Sequence, residues 1–402
     1  MERPARIDPA IMRKLNRGAC LRIVRERDST TMAELVRASG LSRRTIELIV
    51  EELLASGYVL ESGPPSELRP VGRPARAYTF NPRITHALAI EIGEDAVAVA
   101  ICDLVGTVVA SAHTPVRHDA RRAERVAAVQ ASVTGLFDRT GLGRSDVRAV
   151  TVASMGVVHD DGVVDLRRKD GDLALAGGDW SGFHLAGELG DLFDCEVAVE
   201  NDAKLAAVGE AWQGAAHGVD DFVFVLANGV RTGVGIVIGG ELYRGHDGQA
   251  GEVFWAESFF QVGRAIRPNA LLHLGSPDPT ARRAAEESLA GARAGEPEAL
   301  SAVADLAHDL TPALHAIMCL LAPEVLVIGG STGRAGDVLV PAIERELAPL
   351  VRPGTRLHPS TLGDDAVIRG ALRHSLSRIE DELFSGATLP VPATGRSRRE
   401  TP

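Results

Sequence analysis

From His86 onward, short runs of Ala, Val, Leu and Ile alternate with longer amphipathic stretches, and this alternation leaves few architectures open. Ala87-Leu88-Ala89-Ile90-Glu91-Ile92 and Ala96-Val97-Ala98-Val99-Ala100-Ile101 read as buried strands, with a third at Gly106–Ala110. A helix over about 120–138, a strand at Val147–Ala153, a helix near 183–193 and a strand at Cys195–Val199 follow. A second series has strands at Phe222–Leu226 and Gly233–Ile238, and helices over 279–293 and 297–322. It closes with a strand at Val325–Ile328 that ends in two glycines. Strand clusters alternating with helices specify an α/β body.

The first eighty residues have a different texture. Ile11, Leu15, Cys20, Ile23 and Val24 recur at helical spacing across 9–27. Thr31-Met32-Ala33-Glu34 matches a capping box and opens a short helix that Gly40 ends. Ser42 caps the next helix, whose stripe is Ile46, Ile49, Val50, Leu53 and Leu54, and Gly57 stops it. Tyr58-Val59-Leu60 and Tyr78-Thr79-Phe80 flank a Gly/Pro-rich segment and read as a two-stranded wing. Asn81-Pro82 marks the boundary.

Two helices joined by a tight glycine turn fit a helix-turn-helix. Ser42, Arg43, Arg44, Thr45 and Glu47 lie off the apolar stripe at the N-terminal end of the second helix, where this motif meets base edges. Thr31 stands nearby, and Arg69, Arg73 and Arg76 extend the surface along the wing toward a phosphate backbone or a minor groove. A helical docking module with arginines for solubility is the competing reading. The succession of capping box, turn, capped polar helix and Arg-bearing wing favours DNA.

Charge agrees with that division. Residues 1–80 carry 14 basic and 10 acidic residues, whereas the remainder carries 29 and 44. Only the front end is suited to a polyanion. With 45% hydrophobic residues the chain is globular, and no apolar run reaches the length of a membrane span. The charged N-terminus shows no secretory signal, and Cys20, Cys102, Cys195 and Cys319 are far apart, which predicts reduced thiols in a cytoplasmic protein.

Specific motifs go further. Leu41-Ser42-Arg43-Arg44-Thr45 and Gly72-Arg73-Pro74-Ala75 precede Glu200-Asn201-Asp202-Ala203-Lys204-Leu205-Ala206-Ala207-Val208-Gly209-Glu210. Leu242-Tyr243-Arg244-Gly245, Gly248-Gln249-Ala250-Gly251-Glu252 and Pro323–Ser331 follow. On these segments, residues 10–80 and 85–375 resemble the ROK family of sugar-responsive repressors and sugar kinases. The resemblance implies an N-terminal winged helix-turn-helix followed by a two-lobed, actin-like (ribonuclease-H-like) body. The implied divisions are 1–82 for the DNA-binding module, 83–198 for lobe 1, 199–384 for lobe 2 with a C-terminal helix returning to lobe 1, and 385–402 for a flexible tail.

Within that resemblance Asp202 occupies the position of the kinase base, and Asn201 and Glu252 those of sugar-binding groups. A second reading makes Asn201 and Asp202 a helix cap. Lys204 either pairs with a cleft carboxylate or faces solvent.

The catalytic parts depart from the family. Glu91-Ile92-Gly93-Glu94-Asp95 stands where an Asp-x-Gly-Gly-Thr phosphate loop is expected, which puts two carboxylates toward a triphosphate. The second phosphate loop reads Asn228-Gly229-Val230-Arg231-Thr232-Gly233. Trp255 replaces the zinc-site His, either to stack on a sugar ring or to fill the core, and no Cys cluster follows. The expectation is a repressor without metal or cofactor. Its partners would be a double-stranded operator, a second or further copies of itself, and a sugar or sugar-phosphate effector. The alternative is an active ATP-dependent sugar kinase with an appended DNA-binding module.

Overall fold

The computed structural model describes residues 8–63, 76–166, 181–229, 231–253, 269–350 and 354–384, with the backbone alone at residue 231. Its first module contains α1 (Pro9–Arg25), β1 (Thr30–Thr31), α2 (Met32–Ser39), α3 (Arg43–Ala55), β2 (Val59–Ser62) and β3 (Ala77–Phe80). The capping box is present in both directions: Thr31 Oγ1 accepts from Glu34 N and Glu34 Oε2 accepts from Thr31 N, at 3.4 and 2.7 Å. Gly40 takes φ +68°, a left-handed conformation that costs glycine little, and so lets α2 turn into α3. Ile46, Ile49, Val50 and Leu53 are buried. The wing has three strands, not the expected two, because Thr30–Thr31 pairs with Tyr78 and Ala77. Two residues are too few to show a strand period in the sequence.

The body repeats one topology. The first sheet is built from β4 (His86–Ile92), β5 (Ala96–Asp103), β6 (Val108–Pro115), β7 (Val147–Ser154) and β11 (Val197–Asn201), in the order β11-β7-β4-β5-β6. A small sheet of β8 (Val157–Val158), β9 (Val163–Asp165) and β10 (Phe183–His184) lies between β7 and β11 in sequence. The second large sheet contains β12 (Phe222–Asn228), β13 (Arg231–Ile238), β14 (Glu241–Leu242), β15 (Val325–Gly329) and β16 (Arg356–Pro359), in the order β14-β13-β12-β15-β16. Each sheet is an antiparallel meander extended by two parallel strands. The strand across the expected 198–199 division, β11, pairs with β7 over its whole length.

Helices α4 (Arg122–Thr140) and α5 (Leu185–Gly190) accompany the first sheet. The helix expected over 183–193 is shorter because Phe183 and His184 pair with β9. The second sheet is accompanied by α7 (Pro279–Ala294), α8 (Pro297–Leu321), α9 (Gly330–Gly333) and α10 (Gly336–Leu347). Between the sheets lie α6 (Asp202–Gln213) and α11 (Ala366–Phe384), packed against each other. Helix α11 packs on β4 and β7, while α6 packs on β12 and β13.

Alternation along the strands explains this layering. Leu88, Ile90, Val97, Val99, Val150 and Val152 share a core with residues of α4 and α5. Ala87, Ala89, Ala149 and Ala153 face the opposite way and share a core with α6 and α11. Small side chains on that face let the helices approach closely. Contact between the helices is closer still: at Gly209 the nearest atoms belong to the backbone of Ala366 and Gly370, and at Gly370 to that of Leu205 and Gly209.

All four cysteines are free, and no helix among the described residues is long and apolar enough to cross a membrane. A Cβ at Gly370 would sit on the Leu205 carbonyl. Gly370→Ala should therefore lower stability by roughly 1–3 kcal/mol or more, since the obstacle is backbone and cannot change rotamer. The midpoint of urea unfolding measures this; an unchanged midpoint would show that the helices separate freely.

Candidate functional site

Strand β11 ends at Asn201 and α6 starts at Asp202, so the site is built around a strand-to-helix turn. Asn201 Oδ1 accepts from Lys204 N at 3.1 Å, and Asn201 Nδ2 donates to Gly156 O at 2.9 Å. Its amide thus caps the helix, as one of the two sequence readings has it. Asp202 Oδ1 accepts from Ala203 N at 2.8 Å. Burial, with Glu252 nearby, pushes the Asp202 carboxyl up to about 6, against the Ala203 amide and the Lys204 charge.

Lys204 faces inward. Its side chain is 1% exposed, and Nζ donates to Gly248 O at 2.6 Å and lies 3.6 Å from Glu252 Oε1. Burial raises Glu252 while Lys204 opposes the rise. The Asn201, Asp202 and Glu252 positions therefore meet around α6. Trp255 and Arg73 lie outside the described residues.

Two further carboxylates flank this turn. Glu91 is in register with Ala153, and Ala153 with Glu200, so all three share one sheet face at the carboxyl ends of adjacent strands. Open α/β sheets bind ligands at such ends. Burial pushes Glu91 up to about 8, reinforced by the negative charges of Asp202, Asp364 and Asp365. In the sequence Glu91 figured only as the first residue of the altered phosphate-loop stretch, not as a ligand-binding candidate. Its signal was a single acid in the otherwise apolar run of β4.

Glu200 is neutralised across the lobes. Its Oε2 accepts from Arg244 Nε at 2.6 Å, and its Oε1 from Asn201 N at 2.8 Å. Arg244 also donates to Asp160 Oδ1 and, at 3.2 Å, to Val158 O. Asp247 binds the same stretch: Oδ1 accepts from Asp160 N at 3.0 Å, and Oδ2 lies 2.7 Å from His159 Nδ1. These two bonds hold the Asp247 carboxyl below the usual range, the Asp160 amide contributing most. The segment after β14 is thereby stitched to the one after β8.

The turn between β4 and β5 carries the Glu94-Asp95 pair. Glu94 Oε1 and Asp95 Oδ1 lie 3.3 and 3.1 Å from His118 Nδ1. Arg125 donates to the Gly93 and Glu94 carbonyls. Both carboxylates are thus engaged by a histidine that the sequence reading did not consider. On the second lobe, Asn228 Oδ1 accepts from Ser331 N at 2.8 Å, joining the end of β12 to the start of α9.

The DNA-facing candidates gather at the start of α3. Ser42 Oγ accepts from Thr45 N at 3.2 Å, and the two hydroxyls lie 2.8 Å apart. Arg43 and Arg44 are 77% and 76% exposed, with Glu47 3.1 and 3.8 Å from their guanidinium nitrogens. Thr31 is engaged in the capping box, and Arg76 pairs with Glu61 at 3.2 Å.

Residues 87–254 match the ROK family. The chain carries a ROK domain. It is 22% identical over 361 residues to a putative xylose repressor from a Caldicellulosiruptor strain, covering 84% of this chain and 88% of that one. It is 29% identical over 221 residues to a glucokinase from Halalkalibacterium halodurans, covering 48% of this chain and 67% of the kinase. A solved ROK family transcriptional regulator, a homologue of the E. coli MLC protein, is similar with a TM-score of 0.66 at 21% identity. That match covers 94% of this chain and 98% of the other, and it establishes the fold.

The acids of the ROK domain make a testable statement about stability. Glu91 titrates near 8 in the fold against an ordinary 4.5, so the folded chain holds this proton more tightly. Its stabilising share is complete below pH 4.5 and lost as pH rises to about 8. Glu91→Gln should leave the melting temperature unchanged at pH 4.5 and raise it above the parent at pH 8. The expected gain is roughly 1–2 °C per kcal/mol recovered for a chain of this length. Paired melts at the two pH values check this, and an identical offset at both would contradict it.

Proposed function

We propose that this chain is a cytoplasmic DNA-binding repressor whose ROK domain senses a sugar instead of phosphorylating one. The observation that carries the reading is the capped α3, with Arg43 and Arg44 three-quarters exposed at its N-terminal end, on a module joined to a ROK domain. The resemblance to a putative xylose repressor over most of both chains supports it. In this reading Ser42, Arg43, Arg44, Thr45 and Glu47 face the major groove, with Thr31, Arg73 and Arg76 toward the backbone. Asn201, Asp202, Glu252 and Trp255 belong to the sensing cleft.

Two copies, or four, would present paired recognition helices to a roughly palindromic operator, with half-site centres about one helical turn apart or a multiple of it. Coupling to the cleft has a physical route. Helix α6 begins at Asp202 and packs on α11, and α11 packs on α1. At that last contact Arg25 binds Glu380 at 2.6 Å and the Leu104 carbonyl at 3.2 Å. Arg22 lies over the Phe384 ring at 5.0 Å, and Gly18 abuts the Phe384 backbone. A ligand that favours one placement of α6 would bias the placement of the DNA-binding module.

A kinase reading is favoured by one observation: the Asp202 carboxyl is raised to about 6, toward the range useful for proton acceptance, at a position that resembles the family's base. The glucokinase relative agrees with it. ADP release with common hexoses separates the two readings. Robust turnover that Asp202→Asn abolishes would establish the kinase.

For the repressor reading, genome-wide mapping of bound DNA is the direct test, and absence of any preferred fragment would refute it. Arg44→Ala should weaken operator binding by about 1–3 kcal/mol if Arg44 reads a base. Unchanged affinity in gel-shift titration would remove Arg44 from the interface. Glu380→Ala should preserve binding of an effector while reducing its influence on operator affinity, measured by anisotropy with and without that effector.

A further inference from the structure

Resting on the sensing reading above, we infer that the cleft takes a sugar without negative charge and discriminates against its phosphate ester. The site itself rests on the ROK fold and its strand-to-helix turn; the groups around that turn fix the ligand class. Among the described residues, Glu91, Glu200, Asp202 and Glu252 meet two cations there, Lys204 and Arg244.

Neither cation is open to a phosphate. The Arg244 guanidinium is divided among Glu200, Asp160 and the Val158 carbonyl. Lys204 is buried between the Gly248 carbonyl and Glu252. The amides that begin α6 are occupied as well, since Asn201 Oδ1 takes Lys204 N and Asp202 Oδ1 takes Ala203 N. The usual anion-binding equipment of a helix start is thus used internally.

Among the described residues Glu91 and Asp202 make no ion pair, although the Lys204 charge reaches Asp202, and the Asp202 charge helps keep the Glu91 carboxyl protonated. The protonated Glu91 carboxyl both donates and accepts hydrogen bonds, whereas ionised Asp202 accepts them and donates none. Sugar hydroxyls supply the donors it lacks, and an ammonium group on a sugar would supply both donors and charge. A phosphate brings acceptors and negative charge, so it would meet repulsion and find no open cation among these residues.

Titration calorimetry on the full chain tests this. The probes are D-glucose, D-mannose, N-acetyl-D-glucosamine and D-glucosamine, each against its phosphate ester, with D-xylose as a further free sugar. At least one free sugar with an ester in the set should bind at least tenfold more tightly than that ester. The double variant Glu91→Gln, Asp202→Asn should narrow that gap several-fold. Asp202→Asn alone, which removes the charge of the member ionised at neutral pH, provides the readout if the double variant does not fold.

Ester binding as tight as, or tighter than, that of the free sugar overturns the inference and leaves the sensing reading standing. An unchanged gap in the folded variants overturns the assignment to this carboxylate pair. Binding of none of the probes overturns the sensing reading and the inference with it.

Discussion

Backbone lies directly on backbone where α6 crosses α11, and the two-lobed body depends on that contact. Gly209 and Gly370 permit it because neither presents a side chain to the opposing helix. The same closeness recurs at Gly233 and Gly235, whose nearest neighbours belong to Ala203 and Ala207 of α6. Small residues therefore line α6 toward both α11 and β13. The helix whose first turn bears Asp202 and Lys204 is consequently held by packing along its length. Such packing tends to adopt discrete arrangements rather than deform continuously.

The charged groups near that helix form two classes. Glu200 and Glu252 have cations, and their bonds join separated segments: Glu200 through Arg244 to the stretch after β8, and Glu252 through Lys204 to the Gly248 loop. Among the described residues Glu91 and Asp202 make no ion pair, and burial raises both. Buried ion pairs of the first class contribute less to net stability than to fixing one geometry, because desolvation offsets much of their attraction. The second class is a stability cost that a ligand donating hydrogen bonds can offset. Paired and unpaired acids thus stand only residues apart.

Much of this architecture was legible in the sequence. Capping residues, glycine stops and apolar periods located α1, α2 and α3 nearly to their ends, and alternating runs located most strands of both sheets. Asn201 as a cap was legible too, since Asn is among the residues best able to accept from the first amides of a helix. What escaped were contacts between residues remote in the chain. The bonds of His159 to Asp247 and of Arg244 to Glu200 join segments separated by 88 and 44 positions, and no local pattern encodes them. The contact of Glu94 and Asp95 with His118 escaped for the same reason, since His118 follows another strand. Glu91 was visible as an acid in an apolar strand, but only the register with Ala153 and Glu200 gives it neighbours.

The apolar core of the N-terminal module runs without a break into α11: Leu21, Val24, Leu53 and Tyr58 belong to the same cluster as Leu376, Ile379 and Leu383. The module is therefore a poor cassette. Cutting the chain near Pro82 to graft a foreign module onto the body would leave both fragments with a greasy scar. Exchange between relatives would succeed only if the last helix travelled with the first.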